Sequence, residues 1–132
     1  MYQTLRRNLV PLGLDLQRIE TSVAQGIPDL NYCYQGVEGW IELKKLRRKT
    51  KRGVFSIPHL RANQCAWINR RVSHHGGTVW LLAQVDQDLV LIHGRNIYDV
   101  YRRRWTWGEI DKFAHVFPAP VDYGALLTTL VG

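Results

Sequence analysis

The sequence predicts an α/β chain of the α+β kind, a mixed central β-sheet flanked by helices, in one domain spanning residues 1–132. Three observations carry this. Short runs rich in Val, Ile, Leu and Trp alternate with a period of two, the apolar period becomes helical after Pro58, and strand and helix signals interleave along the chain. With 132 residues, 45% of them apolar and 22% charged, the chain has material for one core and fits neither disorder nor a fibrous repeat.

The elements follow in order. Leu5 and Leu9 lie one helical turn apart beside Arg6 and Arg7, and Pro11 and Gly13 end that short helix. From Leu14 the alternation of Leu14, Leu16 and Arg18 with Asp15, Gln17 and Ile19 predicts a strand. Ile27 to Tyr34 and Trp40 to Leu46 are two extended segments, joined as a hairpin through Gln35-Gly36-Val37-Glu38-Gly39. Arg47 to Gly53 has no apolar period and reads as an exposed loop. Leu60, Gln64, Trp67, Ile68, Arg71, Val72 and His75 form one side of a long helix that Gly76-Gly77 stops. Thr78 to Val85 and Leu89 to His93 are strands around the turn Asp86-Gln87-Asp88. Asn96 to Arg104 and Thr106 to Phe113 read as short helices, the second capped by Thr106 with Glu109 three residues on, and Tyr123 to Leu130 is the last helix.

The composition excludes several functions. The longest uncharged apolar run, around residues 78–85, is far below the ~20 residues of a membrane helix, and the start has no apolar leader segment, so no membrane role and an intracellular location are expected. Cys33 and Cys65 form no disulfide framework or zinc spacing and are expected to be buried thiols. No phosphate-binding glycine loop, nucleophile elbow or dinucleotide fingerprint is present. The net charge of +7 is uneven: between Leu43 and Val85 there is no acidic residue, but ten basic ones (Lys44, Lys45, Arg47, Arg48, Lys49, Lys51, Arg52, Arg61, Arg70, Arg71). Such a field suits a polyanion, and phosphate neutralisation by Lys and Arg makes nucleic acid the favoured partner over an anionic membrane surface.

The chemistry-bearing constellation is Gly26-Ile27-Pro28-Asp29 followed by Glu42-Leu43-Lys44. On a strand, Glu42 and Lys44 share a face while Ile41 and Leu43 share the other. Pairing of the two segments brings Asp29 near Glu42, so two carboxylates and an ammonium converge in a site of hard oxygen donors suited to Mg²⁺. The main-chain carbonyl of Leu43 is an additional candidate ligand. A bound cation there polarises a phosphate and acidifies an attacking water, and Lys44 orients that water and offsets charge developing on phosphorus. Gln64 falls on the apolar stripe of the helix and faces the sheet, where its amide requires a polar partner.

These residues, with Arg18-Ile19-Glu20, Gly39-Trp40-Ile41, Leu60-Arg61-Ala62-Asn63-Gln64-Cys65-Ala66-Trp67 and Gly76-Gly77-Thr78-Val79-Trp80, resemble the PD-(D/E)xK nuclease superfamily over roughly residues 15–95. Within it the chain is most similar to small phage-type members, the VRR-NUC domains and Holliday-junction resolvases. The resemblance implies a Mg²⁺-dependent endodeoxyribonuclease, with Mn²⁺ as a substitute, in the cytoplasm of a bacterium or phage-infected host. It makes Asp29 and Glu42 ligands, Lys44 the catalytic lysine and Gln64 the helix-borne polar residue of the site. Many members carry a further glutamate on the helix before the first core strand, whereas residues 1–13 hold no acid; Glu20 stands either as a substitute ligand or as a structural residue.

The leading expectation is cleavage of branched DNA such as Holliday junctions. Lys45, Arg47, Arg48, Lys49, Lys51, Arg52, Arg70 and Arg71 hold backbones, and a two-fold homodimer matches a symmetric substrate. A non-catalytic nucleic-acid-binding module with the same fold and a sequence-specific restriction-type nuclease are the alternatives. His74-His75 suit a helix end rather than a metal, Trp67 and Trp80 suit packing, and Trp105 and Trp107 suit either base stacking or a dimer interface.

Overall fold

The computed structural model of the chain describes residues 1–20, 25–47, 53–103 and 105–132. Helix α1 (Tyr2–Leu9) passes through a 3₁₀ turn at Val10–Leu12 and a left-handed Gly13 into strand β1 (Asp15–Arg18). Strands β2 (Leu30–Tyr34) and β3 (Val37–Leu46) form a hairpin, and helix α2 (Ala62–Asn69) runs on into a π-helical turn at Arg70–His74. Strands β4 (Val79–Val85) and β5 (Asp88–His93), helix α3 (Trp107–Phe113), strand β6 (His115–Phe117) and helix α4 (Tyr123–Val131) complete the chain.

The six strands lie in one sheet in sequence order, antiparallel throughout except for β3 and β4. That parallel pair requires a crossover, which residues 53–78 supply with α2. The result is the expected mixed sheet flanked by helices. Period-2 alternation divides the side chains of its central strands. Ile41, Trp80, Leu82, Leu30 and Tyr32 face α1 and α4, with Leu5, Leu9, Leu126 and Leu130. Val79, Leu81, Ala83 and Leu46 face α2, with Cys65, Trp67, Ile68, Phe55 and Trp105. Both faces are covered, which is why β4 is apolar from Val79 to Ala83, on both of its faces, before Gln84. Among the described residues no helix is long and apolar enough to cross a membrane.

Several details differ from the sequence reading. The hairpin loop is only Gln35-Gly36, both with positive φ (49° and 84°), so Val37 to Gly39 extend β3 rather than forming a connection. Two left-handed residues give the turn whose twist matches the flanking strands. Residues 27–29 lie outside β2, which starts at Leu30. The helix from 60 to 75 is instead α2 plus a π-helical turn, and the 96–104 segment is 3₁₀ and π-helical. Strand β6 has no counterpart in the sequence reading. The expected loop at 47–53 falls mostly on residues 48–52, outside the described residues. Thr106 caps α3 as expected, accepting from the Glu109 N–H at 3.2 Å. Trp105 is a core residue, 3% exposed, and neither stacks on a base nor forms an external interface. Cys65 is buried and Cys33 only half-buried.

Candidate active site

The site is built on β3 where it borders β2 and β4. Glu42 pairs in register with Leu81 and Lys44 with Ala83, so both side chains rise from the sheet under α2. Glu42 is 2% exposed, an environment that carboxylates avoid unless partnered. Its partners are Gln64 and Lys44: the Gln64 Nε2 donates to Glu42 Oε1 at 2.9 Å, and the Lys44 Nζ lies 3.4 Å from the same oxygen.

Gln64 is held with its amide in one sense. Its Oε1 accepts from the Lys44 Nζ at 3.2 Å and from the Arg61 N–H at 3.0 Å, while its Nε2 donates to Glu42. Only one amide orientation satisfies two donors and a carboxylate. The Arg61 contact is half of a capping box, so the side chain that bridges the charged pair also satisfies an amide at the start of α2. Lys44 completes its three hydrogen bonds on the carbonyl of His59 at 3.0 Å. His59 is itself left-handed, with φ 62°, which turns that carbonyl onto the lysine.

Asp29 reaches the cluster from the end of β2. Its carbonyl accepts from the Ile19 N–H at 2.8 Å and its Oδ2 accepts from the Leu43 N–H at 2.8 Å, fixing both its backbone and its carboxylate. Gly26 makes the approach possible. A Cβ there would lie 2.4 Å from the Asn63 carbonyl oxygen, so only glycine lets the Ile27-Pro28-Asp29 segment pass beside the first turn of α2. Burial pushes the Glu42 carboxyl up to about 7, the charge of Asp29 adds to this, and Lys44 opposes it. Burial likewise pushes the neighbouring Cys65 thiol up to about 11, so it packs as an unreactive thiol beneath the site.

One atom of this cluster stands out. Glu42 Oε2 is buried and has no hydrogen-bond partner. A buried carboxylate oxygen left unpaired beside a second carboxylate is costly in the protein alone and suits a hard cation. The donor set therefore fits a divalent metal bound by Asp29 and Glu42. Among the described residues no three or more His, Cys, Asp and Glu side chains gather as a metal cluster, so two carboxylates are what the side chains offer and a cation there would draw its other ligands from water or substrate oxygens.

The other expected residues are distributed differently. Glu20 is exposed beyond the end of β1 and does not join Asp29 and Glu42 in such a cluster. Leu43 directs its side chain to the α1 face and engages Asp29 through its amide. Arg70 is exposed, whereas Arg71 lies with its guanidinium 4.5 Å over the Trp67 ring and 5.6 Å over Trp40. Lys45 and Arg47 lie at the exposed end of β3; Arg48, Lys49, Lys51 and Arg52 are outside the described residues. The sequence reading missed His59, whose contribution is a backbone carbonyl that no side-chain pattern reveals. It also missed a cleft of about 400 Å³ beside Asp29, lined by Tyr2, Gln3, Arg18 and Leu43 among others.

No protein-family model matches the chain, and a search of curated proteins returns no significant match. Among solved structures the chain is similar to Hjc, a Holliday junction resolvase from the archaeal hyperthermophile Archaeoglobus fulgidus, with a TM-score of 0.50 and 14% identity over 71% of this chain and 74% of that one. At that identity the likeness is one of fold: both chains share a mixed sheet with flanking helices.

Proposed function

We propose that residues 1–132 form one nuclease domain of the PD-(D/E)xK kind, akin to phage-type VRR-NUC domains and Holliday-junction resolvases. It hydrolyses DNA phosphodiesters with Mg²⁺ or Mn²⁺, selects branched DNA, and works in the cytoplasm as a homodimer. The observation that carries this reading is the unpaired, buried Glu42 Oε2 beside Asp29, with Lys44 and Gln64 already fixed around the same carboxylate. The fold shared with an archaeal junction resolvase supports it.

Asp29 and Glu42 hold the cation, with the Leu43 carbonyl as a further donor. When bound, it polarises the scissile phosphate and acidifies an attacking water. Lys44 orients that water and offsets charge developing on the phosphoryl oxygens. All three ammonium protons are engaged by Glu42, Gln64 and His59, so one of these contacts yields to substrate. The His59 carbonyl, on an exposed residue, is the one that gives way. Gln64 stays in place and keeps Glu42 and Lys44 in register as the charges around them change. Lys45, Arg47 and the following basic residues, with Arg70, hold backbones by phosphate neutralisation.

Cleavage of an end-labelled four-way junction beside a matched linear duplex, with Mg²⁺ or EDTA, tests the reading. Paired incisions confined to the junction are expected, abolished by EDTA and reduced about 10²–10³-fold in Lys44→Ala. A protein that binds these DNAs but cuts none in Mg²⁺ or Mn²⁺ is a binding module instead.

A further inference from the structure

The cleft beside Asp29 is walled by α1 and the end of β1 and shares Asp29 and Leu43 with the site described above. Its wall carries an arrangement of two cations on one ring. The Arg18 guanidinium lies 5.6 Å over the ring of Tyr2, and the Arg6 Nη1 donates to the hydroxyl of the same tyrosine at 3.2 Å. Tyr2 is half-buried, while both arginines are exposed. Among the described residues neither arginine pairs with a carboxylate. Gln3 lines both this cleft and a neighbouring depression that holds Arg6 and Arg7, so the positive surface continues along α1. The first acidic residue of the chain is Asp15, which leaves that helix with no counter-charge of its own.

Two carboxylates at a catalytic centre repel the backbone that must approach them, and fixed cations alongside reverse the local potential. Guanidinium groups do this with direction, because their planar fork matches two phosphate oxygens. A tyrosine that takes one guanidinium on its face and another on its hydroxyl holds both forks before any ligand arrives, which lowers the ordering cost of binding. Arg18 also sits opposite Leu30 in the β1–β2 ladder, next to Asp29 in the chain, so its distance from the site is set by sheet register rather than by a loop.

We propose that this cleft is a second phosphate subsite: Arg18, with Arg6 and positioned by Tyr2, binds the DNA backbone phosphate next to the one that is cut. This rests on the nuclease reading above and adds a substrate track along α1, separate from the basic run after β3. Neither arginine is a catalytic residue. Both act on binding and on placement of the strand over Asp29.

The test is fluorescence anisotropy of the full chain on a labelled four-way junction in Ca²⁺, with cleavage in Mg²⁺ measured in parallel. Arg18→Ala is expected to weaken binding about 5–10-fold and to reduce the slope of log affinity against log salt by about one, with Arg18→Lys recovering part of the loss. Tyr2→Phe, which keeps the ring but frees Arg6, gives a smaller loss. A neutral methylphosphonate in place of the phosphate adjoining the cleavage position weakens binding by the wild type and leaves Arg18→Ala unaffected. Wild-type affinity and salt slope in both Arg18→Ala and Arg6→Ala, while Lys44→Ala still loses cleavage, overturn the subsite and spare the nuclease reading. Retained effects of Arg18→Ala on affinity and salt slope in a wild type that cuts nothing uphold phosphate binding by the cleft and overturn the nuclease reading.

Discussion

The two faces of the sheet bury polar atoms in opposite ways. On the α1/α4 face the Tyr32 hydroxyl donates to the Leu130 carbonyl at 2.7 Å and accepts from the Trp80 Nε1 at 3.1 Å, so both of its roles are filled. The ring lies over Gly39, where a Cβ would come within 2.3 Å of that hydroxyl. On the α2 face Glu42 is as deeply buried, but one of its oxygens has no partner. The first arrangement ties α4 to the sheet and is complete within the protein; the second leaves one carboxylate oxygen without a protein partner. Burial of a polar group thus means stability on one side and, on the proposed reading, a need for a cation on the other, and the count of its partners tells them apart.

The sharpest way to break this contrast is Glu42→Gln. It is expected to cost cleavage about 10²–10³-fold or more, while raising the stability of the metal-free protein at pH 8 by about 1–3 kcal/mol, since a buried charge is replaced by an amide. Junction cleavage and urea unfolding in EDTA measure the two signs. A loss of both would make Glu42 a structural residue like Tyr32.

Tyr32→Phe is the mirror experiment. It leaves the Leu130 carbonyl and the Trp80 N–H unpaired and is expected to cost about 1–3 kcal/mol of stability with cleavage little changed. Burial pushes the Tyr32 hydroxyl from 10.0 up to about 12, the Trp80 hydrogen bond opposing it. Between those values the folded state keeps a proton that the unfolded state releases. The corresponding stability is therefore full below pH 10 and is lost as pH rises toward 12. Melting curves through that window fall for the wild type, and the fall is shallower in Tyr32→Phe.

Arg71→Ala gives the smallest effect and tests whether the α2 face is purely a binding surface. Its guanidinium lies on Trp67 and Trp40, so about 1 kcal/mol of stability is expected to go. A thermal melt beside the DNA-binding assay separates this from a role in affinity. Unchanged stability with weakened binding would return Arg71 to the DNA-contacting set.

How far the sequence carried this picture depended on whether a feature is local. Glu42, Lys44 and Gln64 were legible because strand alternation and helical spacing each place a polar side chain on an apolar face, and Asp29 because its hairpin brings it alongside. Strand β6 was not: its three residues form a strand only through pairing with Leu89–Leu91 of β5. The Gln35-Gly36 turn was hidden for a related reason, since the ladder, and not the two glycines at 36 and 39, decides where β3 begins. Arg18 and Tyr2 are far apart in sequence and meet through tertiary packing, as do Arg71 and Trp40. The His59 carbonyl belongs to every residue type alike and carries no sequence signal.

The Arg61–Gln64 contact has a consequence for assembly. The same side-chain oxygen that receives the first turn of α2 also receives Lys44, so helix docking and alignment of the charged pair are one event. A chain whose sheet has formed but whose α2 has not yet settled holds Glu42 and Lys44 without their bridge. On the proposed nuclease reading, a partly folded copy would lack the aligned pair, and the chemistry would wait on the docking of α2.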